Sequence, residues 1–314
     1  DAEKLSAWHS SLTEDEKLSR FGAPIEELGN KPDGLSSRFG RGNNPGFKIV
    51  SPNRRPPAVA GNNPHATPTN PYAEVGGRAM GQVILDRVGR KYRGKSKPTM
   101  YFLGGTTGAG KSDVRDWLMA EGHIPSSSEA AHIDPDFIKM GLPGFDDGRG
   151  AVSVHHLSRR VTDKVISDAA KEGLDTIVEG TGKRSEHAIG AKRRGENVVA
   201  HFIYAPDDVA SKRMRERTRK TGRNIPDNTA LIASQIPVAI SQMLDANAID
   251  EFHLWDNSED VVAGRVKPKP IATKVPGKPL VIHDQAKWEA FAKGKRWADQ
   301  WERKMNSNDS LITS

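Results

Sequence analysis

The sequence predicts an α/β fold: a parallel sheet with helices on both faces, flanked by an irregular N-terminal segment and a C-terminal helix. Three observations carry this expectation. A strand signal, Thr99 to Leu103, runs through a glycine-rich loop into a helix signal over 113–121. From there to about residue 260, short apolar, β-branched runs alternate with stretches of helical spacing. Outside that region the composition shifts to Pro, Gly, Asn and Lys, and periodicity fades.

The elements follow in order. Ala2 to Arg20 has a weak amphipathic pattern through Leu5, Trp8, Leu12 and Leu18. Residues 21–72 read as an extended or wrapping segment, and Tyr72 to Tyr92 as a helix with Met80, Val83, Ile84 and Val88 on one face. Within the core, strands end at His132-Ile133-Asp134 and Thr176-Ile177-Val178, and further strands cover 198–204 and 252–255. Helices are expected over 156–171, 185–194, 207–220 and 229–248. A Pro/Lys-rich stretch over 257–278 leads to one helix over 285–305, carrying Trp288, Phe291, Trp297 and Trp301. The expected organisation is 1–97 as N-terminal helices and extended segment, 98–260 as the core, and 261–314 as linker and C-terminal helix.

Composition narrows the function classes. The chain has no cysteine, which excludes disulfides and Cys-ligated zinc. No apolar run approaches the ~20 residues that span a bilayer, so a soluble protein without a membrane role is expected. No secretory signal is visible, and the start at Asp1 rather than Met is consistent with removal of a preceding segment. The net charge of +7 favours polyanionic partners such as nucleotides, nucleic acid or an acidic protein. The excess gathers at Lys192-Arg193-Arg194, at the seven Lys/Arg between Lys212 and Arg223, and between Lys267 and Lys278. Such runs are also what an ordinary solvated face looks like.

The chemistry is concentrated in four motifs. Gly105-Thr106-Thr107-Gly108-Ala109-Gly110-Lys111-Ser112 matches G-x-x-x-x-G-K-[ST], set between a strand and a helix. Its glycines let backbone N–H groups converge on phosphate oxygens, and the helix N-terminus adds partial positive charge. Lys111 would reach the β and γ phosphates, and the Ser112 hydroxyl would bind Mg²⁺. Asp134 and Asp136 follow at a strand's carboxyl end, where ligands of open α/β sheets bind. One could hold Mg²⁺ or its waters and the other accept a proton from an attacking hydroxyl, although Asp-Pro-Asp is also ordinary turn chemistry. Glu179 and Thr181 end another strand in Glu-Gly-Thr-Gly. Arg213, Arg217 and Arg223 form an arginine run of the kind that stabilises transferring phosphoryl charge from a mobile lid. The lone histidines have no metal-ligand spacing, and His201 is expected to pack in its strand.

Taken together and in this order, the motifs resemble the zeta-toxin family of P-loop kinases, over about Tyr101 to Trp255. The resemblance implies a P-loop kinase-like sheet and ATP- and Mg²⁺-dependent phosphorylation of a sugar hydroxyl on a small nucleotide-type metabolite. It implies Asp136 as general base and Arg217 and Arg223 as lid arginines. Asp163 falls where the family places an acidic substrate-binding residue, and Arg184 after Glu-Gly-Thr-Gly could contact a substrate phosphate. With Asp134, Glu179 and Thr181 these form the expected acceptor side. The family's arginines just after the lid proline are replaced here by Asp227-Asn228-Thr229. Family members split between UDP-N-acetylglucosamine and, in a branch of type III effectors and related toxins, an NAD ribose hydroxyl. The cysteine-free, Pro/Gly-rich flank favours the NAD branch, acting in the bacterial cytoplasm or after export into a host cell. A toxin of this kind also implies a neutralising antitoxin or chaperone-like partner. The competing expectations are a polynucleotide kinase, disfavoured because no aromatics interleave with the basic runs, and a non-catalytic module that keeps the fold.

Overall fold

The computed structural model describes residues 75–145, 153–221, 229–259 and 267–307. The helix expected over 2–20, the extended segment over 21–72 and Arg223 lie outside the described residues. The described residues fall into two compact units, one drawn from 75–82 and 136–161, the other from 83–135 and 162–307.

In chain order the elements are α1 (Val75–Asp86), β1 (Thr99–Gly105), α2 (Lys111–Ala120), β2 (Ala131–Ile133), α3 (Pro135–Lys139), α4 (His155–Lys171), β3 (Thr176–Glu179), α5 (Glu186–Arg193) and β4 (Asn197–Tyr204). They continue with α6 (Asp207–Thr221), α7 (Thr229–Asp245), β5 (Glu251–Asp256), β6 (Lys269–Lys274), β7 (Val281–Ile282), α8 (Gln285–Phe291) and α9 (Lys295–Ser307).

The larger unit is built on one sheet with strand order β2-β3-β1-β4-β5-β6-β7. The first five strands are mutually parallel. Strands covered on both faces need continuous apolar runs rather than alternation. β3 is buried at every position, with Ile177 and Val178 apolar and the polar Thr176 and Glu179 at its two ends. β1 lies centrally, with Leu103 opposite both Glu179 of β3 and His201 of β4. This register brings the ends of β1 and β3, and the loops that follow them, to one edge of the sheet. On one face Leu103, Ile203 and Trp255 pack with Val114 and Leu118 of α2 and Ala210 of α6. His201 is buried there; its Nδ1 accepts a hydrogen bond from Trp255 Nε1 at 3.1 Å, and burial pushes its pKa well below the usual value.

The other face holds a ladder of rings. Phe102 meets Phe202 at 5.9 Å, Phe202 meets Phe252 at 5.7 Å, Phe252 meets Trp288 at 6.1 Å, and Trp288 meets Trp301 at 5.5 Å. Each such side chain contributes roughly 1.5–3 kcal/mol through burial. Trp301 Nε1 also donates to Ser241 Oγ of α7 at 2.8 Å, so the indole's one polar atom is satisfied. The docking of the tryptophan-bearing C-terminal region on the sheet therefore has its physical basis in these rings.

Two expectations for the C-terminal region are corrected. The Pro/Lys-rich stretch is not all linker: β6 pairs antiparallel with β5 and β7 with β6, so the sheet is mixed. Pro270 is accommodated where the register shifts between Leu254 and Trp255, since proline cannot donate to a regular ladder. The helix expected over 285–305 is two helices. The chain turns between them at Lys293 (φ 56°) and Gly294 (φ 128°), and left-handed backbone ends a helix.

In the smaller unit, the start of α1 approaches the chain after α3 so closely that a Cβ at Gly76 would lie 1.9 Å from the Gly141 carbonyl oxygen. Asp136 sits in the first turn of α3, which opens with Pro135. Proline is suited to a first helical position, so Asp-Pro-Asp begins a helix here rather than an isolated turn.

Candidate active site

The phosphate-binding motif adopts the conformation its glycines demand. Gly108 (φ 85°) and Gly110 (φ 79°) are left-handed. A Cβ on Gly108 would lie 2.1 Å from the Ala210 carbonyl oxygen, and one on Gly110 would lie 2.3 Å from Asn257 Nδ2. The loop thus lies pressed between α6 and the turn after β5. Gly110 precedes α2 with no side-chain cap, so first-turn N–H groups keep their capacity for an anion. Lys111 Nζ donates to the carbonyl oxygens of Gly105 and Thr106, each at 2.9 Å, holding an ammonium across the loop. Thr106 and Ala109 are buried, Thr107 and Gly108 half-buried, and Ser112 exposed at the start of α2.

The Glu-Gly-Thr-Gly motif abuts this loop. Gly180 N donates to Leu103 O at 3.0 Å, and Gly105 N donates to Thr181 O at 3.3 Å. A Cβ on Gly182 would stand 3.2 Å from Gly104 Cα, so two glycine backbones pass each other where side chains would not fit. Glu179 itself points into a charged cluster. Its Oε1 accepts from Arg115 Nη1 at 2.6 Å and lies 2.6 Å from His132 Nε2. Burial alone would raise its pKa, but His132 and Arg115 outweigh burial and hold it at about 2. Glu179 is therefore an ionised anchor that ties β3 to β2 and to the helix of the phosphate loop. Its charge is committed to protein partners, and it supports the site from beneath.

Asp163 and Arg184, both expected on the acceptor side, pair with each other. Arg184 Nη1 and Nη2 donate to Asp163 Oδ1 and Oδ2 at 3.0 and 3.2 Å, and His187 Nε2 lies 2.8 Å from Oδ1. Burial opposes ionisation of Asp163, yet His187 and Arg184 bring its pKa down to about 2. Asp134 follows β2 at the same sheet edge as Glu179. In the smaller unit, Asp136 accepts from Lys139 Nζ at 2.9 Å while its side chain stays 44% exposed, enough to remain reachable.

Of the arginine run, Arg217 is exposed on α6. Arg213 is engaged by the turn after β5: Nη1 donates to Asn257 O at 2.8 Å and Nη2 to Glu259 O at 2.7 Å. Asn257 Nδ2 in turn donates to Ala109 O of the phosphate loop at 2.8 Å. Arg115, His132 and Asn257 carried no signal in the sequence, because only strand pairing and helix packing bring Arg115 and His132 to Glu179, and Asn257 to the loop. The basic cluster at 192–194 is partly neutralised, with Lys192 paired to Asp250 and Arg194 to Glu196.

These features fit a bound nucleoside triphosphate: a close-packed glycine cradle, an ammonium across it and an uncapped helix start. Among the described residues no cluster of three or more acidic or imidazole side chains could hold a metal ion alone. No described helix is long and apolar enough to cross a membrane.

Comparison with known proteins agrees with this geometry. The family model for zeta toxin matches residues 85–262, more than half of the chain. Toxin zeta of Streptococcus pyogenes is 30% identical over 95 residues, covering 28% of this chain and 32% of that protein. Toxin zeta of Streptococcus agalactiae is 28% identical over 108 residues, covering 32% of this chain and 36% of that protein. The chain thus spans about a third of the length of these curated relatives. In fold it is similar to the AvrRxo1-ORF1:-ORF2 complex solved with ATP, with TM-score 0.50 and 16% identity over 69% of each chain. The match over residues 85–262, which contains the ordered motifs, places this chain in the zeta toxin family.

Proposed function

We propose that the chain is a toxin- or effector-type kinase that uses ATP and Mg²⁺ to phosphorylate a sugar hydroxyl of a nucleotide-type metabolite. The observation that carries this is the phosphate loop, with Lys111 held across a cradle that admits only glycine at its turns. Family membership and a neighbour of like fold solved with ATP support ATP as the donor.

In this reading, the loop N–H groups and Lys111 bind the β and γ phosphates and withdraw charge from the leaving group. Mg²⁺, held by Ser112 and phosphate oxygens, would neutralise charge developing between the β and γ positions. Asp136 accepts the proton of the attacking hydroxyl as its oxygen bonds to the γ phosphorus and the bond to the β,γ-bridging oxygen breaks, releasing ADP. Arg217 and Arg223 stabilise the transferring charge. Glu179 and Arg115 fix the helix that carries Lys111. Asp134, Thr181, Asp163 and Arg184 orient the acceptor. The favoured acceptor is the NAD ribose 3′-hydroxyl, ahead of UDP-N-acetylglucosamine. The support is the sequence character of the N-terminal segment, which suits an exported effector. A neutralising protein partner follows from the toxin family; the neighbour's second chain is consistent with one.

The test incubates the protein with Mg²⁺, ATP and NAD, UDP-N-acetylglucosamine or a 5′-hydroxyl oligonucleotide, read by mass spectrometry. A phosphate-mass gain on NAD, lost in Asp136→Asn while ATP binding persists, is the expected result. Gain on the nucleotide sugar moves the acceptor. Labelling of the oligonucleotide alone replaces the proposal with a polynucleotide kinase.

A further inference from the structure

We propose that the C-terminal extension belongs to the nucleotide site, with Lys287 as a positioning residue that fixes the Ala109–Gly110 turn of the phosphate loop through Asp256 and Asn257. This rests on the reading that the loop holds ATP.

Residues 267–307 lie beyond the family match, which ends at 262, yet they reach the loop by a short chain of contacts. Asp284 caps α8 by accepting from Lys287 N at 3.0 Å, which sets the first turn that carries Lys287. Lys287 Nζ then donates to Asp256 Oδ2 at 2.6 Å, at the carboxyl end of β5. The Asp256 side chain is only 3% exposed, so its charge depends on that partner. Its other oxygen, Oδ1, accepts from Ser258 N at 3.0 Å and Ser258 Oγ at 2.6 Å. The carboxylate therefore has one oxygen on the extension and the other on the turn after β5.

Asn257 is the residue in between. It is buried, and its N donates to Tyr204 O at 2.8 Å. Its side chain donates to Ala109 O and occupies the space beside Gly110. Arg213 holds the same turn from α6. Loss of the Lys287 charge leaves a buried carboxylate without its cation. The carboxylate must then protonate or turn toward water, and either change loosens the Ser258 contacts. Asn257 shifts with them, and a phosphate cradle tolerates about 0.5 Å of misplacement. The extension also reaches the loop by a second path. Lys293 Nζ pairs with Asp207 at 3.1 Å, and Phe291 and Lys293 line, together with Thr106, a shallow open cleft.

The test is the affinity for Mg·ATP by titration calorimetry, well below the melting transition of every variant. Lys287→Met is expected to weaken binding by about tenfold, and Lys287→Arg to restore it to within about threefold. Lys304→Met, which removes the extension's ion pair with Asp245, should bind ATP as the wild type does. In an Asp256→Asn background, Lys287→Met should add little further loss, because both act through one contact. Unchanged affinity in folded Lys287→Met overturns the inference, as do equal weakening by Lys304→Met or additive losses in the double variant. If Lys287→Met fails to fold, Lys287→Gln supplies the same comparison. A wild-type protein that does not bind Mg·ATP overturns the proposed function itself, whatever the variants do.

Discussion

Replacing Glu179 by Gln isolates the charge of the buried cluster beneath the phosphate loop. The substitution keeps shape and one acceptor oxygen but removes the buried counter-ion of Arg115, 17% exposed, leaving it the solvent-exposed Asp116 at 2.6 Å. Glu179 is held at about 2 in the folded chain against an ordinary 4.5. A depressed carboxyl pKa stabilises the fold above the unfolded value and loses that contribution as pH falls toward the folded value. The difference corresponds to about 3 kcal/mol at pH 7. Breaking a buried ion pair costs a similar ~3–5 kcal/mol, so two routes agree in size. Urea denaturation of both proteins at several pH values measures it. The gap between them should be about 3 kcal/mol at neutral pH, hold down to about pH 5, and fall to about half between pH 3 and 3.5. A gap below about 0.5 kcal/mol at pH 7, or one that persists unchanged at pH 3, would refute the assignment of Glu179 as a charged anchor.

Gly108→Ala should abolish Mg·ATP binding in calorimetry, since its Cβ would meet a backbone carbonyl oxygen of α6 that cannot swing aside; retained affinity would mean the loop has another conformation when loaded. Trp301→Ala should lower the urea-derived stability by about 3–5 kcal/mol, through a cavity beside Trp288 and Phe291 and a lost bond to Ser241; a loss under about 1 kcal/mol would show that α9 is not docked as described. Asp163→Asn should cost below about 1 kcal/mol, because the Asp163 side chain is 46% exposed and water screens its pair with Arg184. A large drop in acceptor phosphorylation with that small stability change would support an acceptor role, and unchanged turnover would remove it.

The phosphate loop was legible because its instructions are local. Glycines at 105, 108 and 110, the Lys-Ser pair and the flanking strand and helix all lie between Thr99 and Ala120, and each acts on its own backbone. The alternating core was legible for the same reason, as continuous apolar runs such as Thr176-Ile177-Val178. The partners of those residues were not. Arg115 and Glu179 are 64 residues apart, and Asn257 reaches Ala109 across 148. Strand pairing and helix packing alone make them neighbours. β6 was hidden because its apolar content is a short Ile271-Ala272 core amid lysine and proline, and only the edge of β5 gives it a partner. Residue type and spacing thus determined what the loop can bind. The tertiary structure decided which charges are spent on holding that loop and which stay reachable, because burial and pairing follow from contacts between segments distant in the chain.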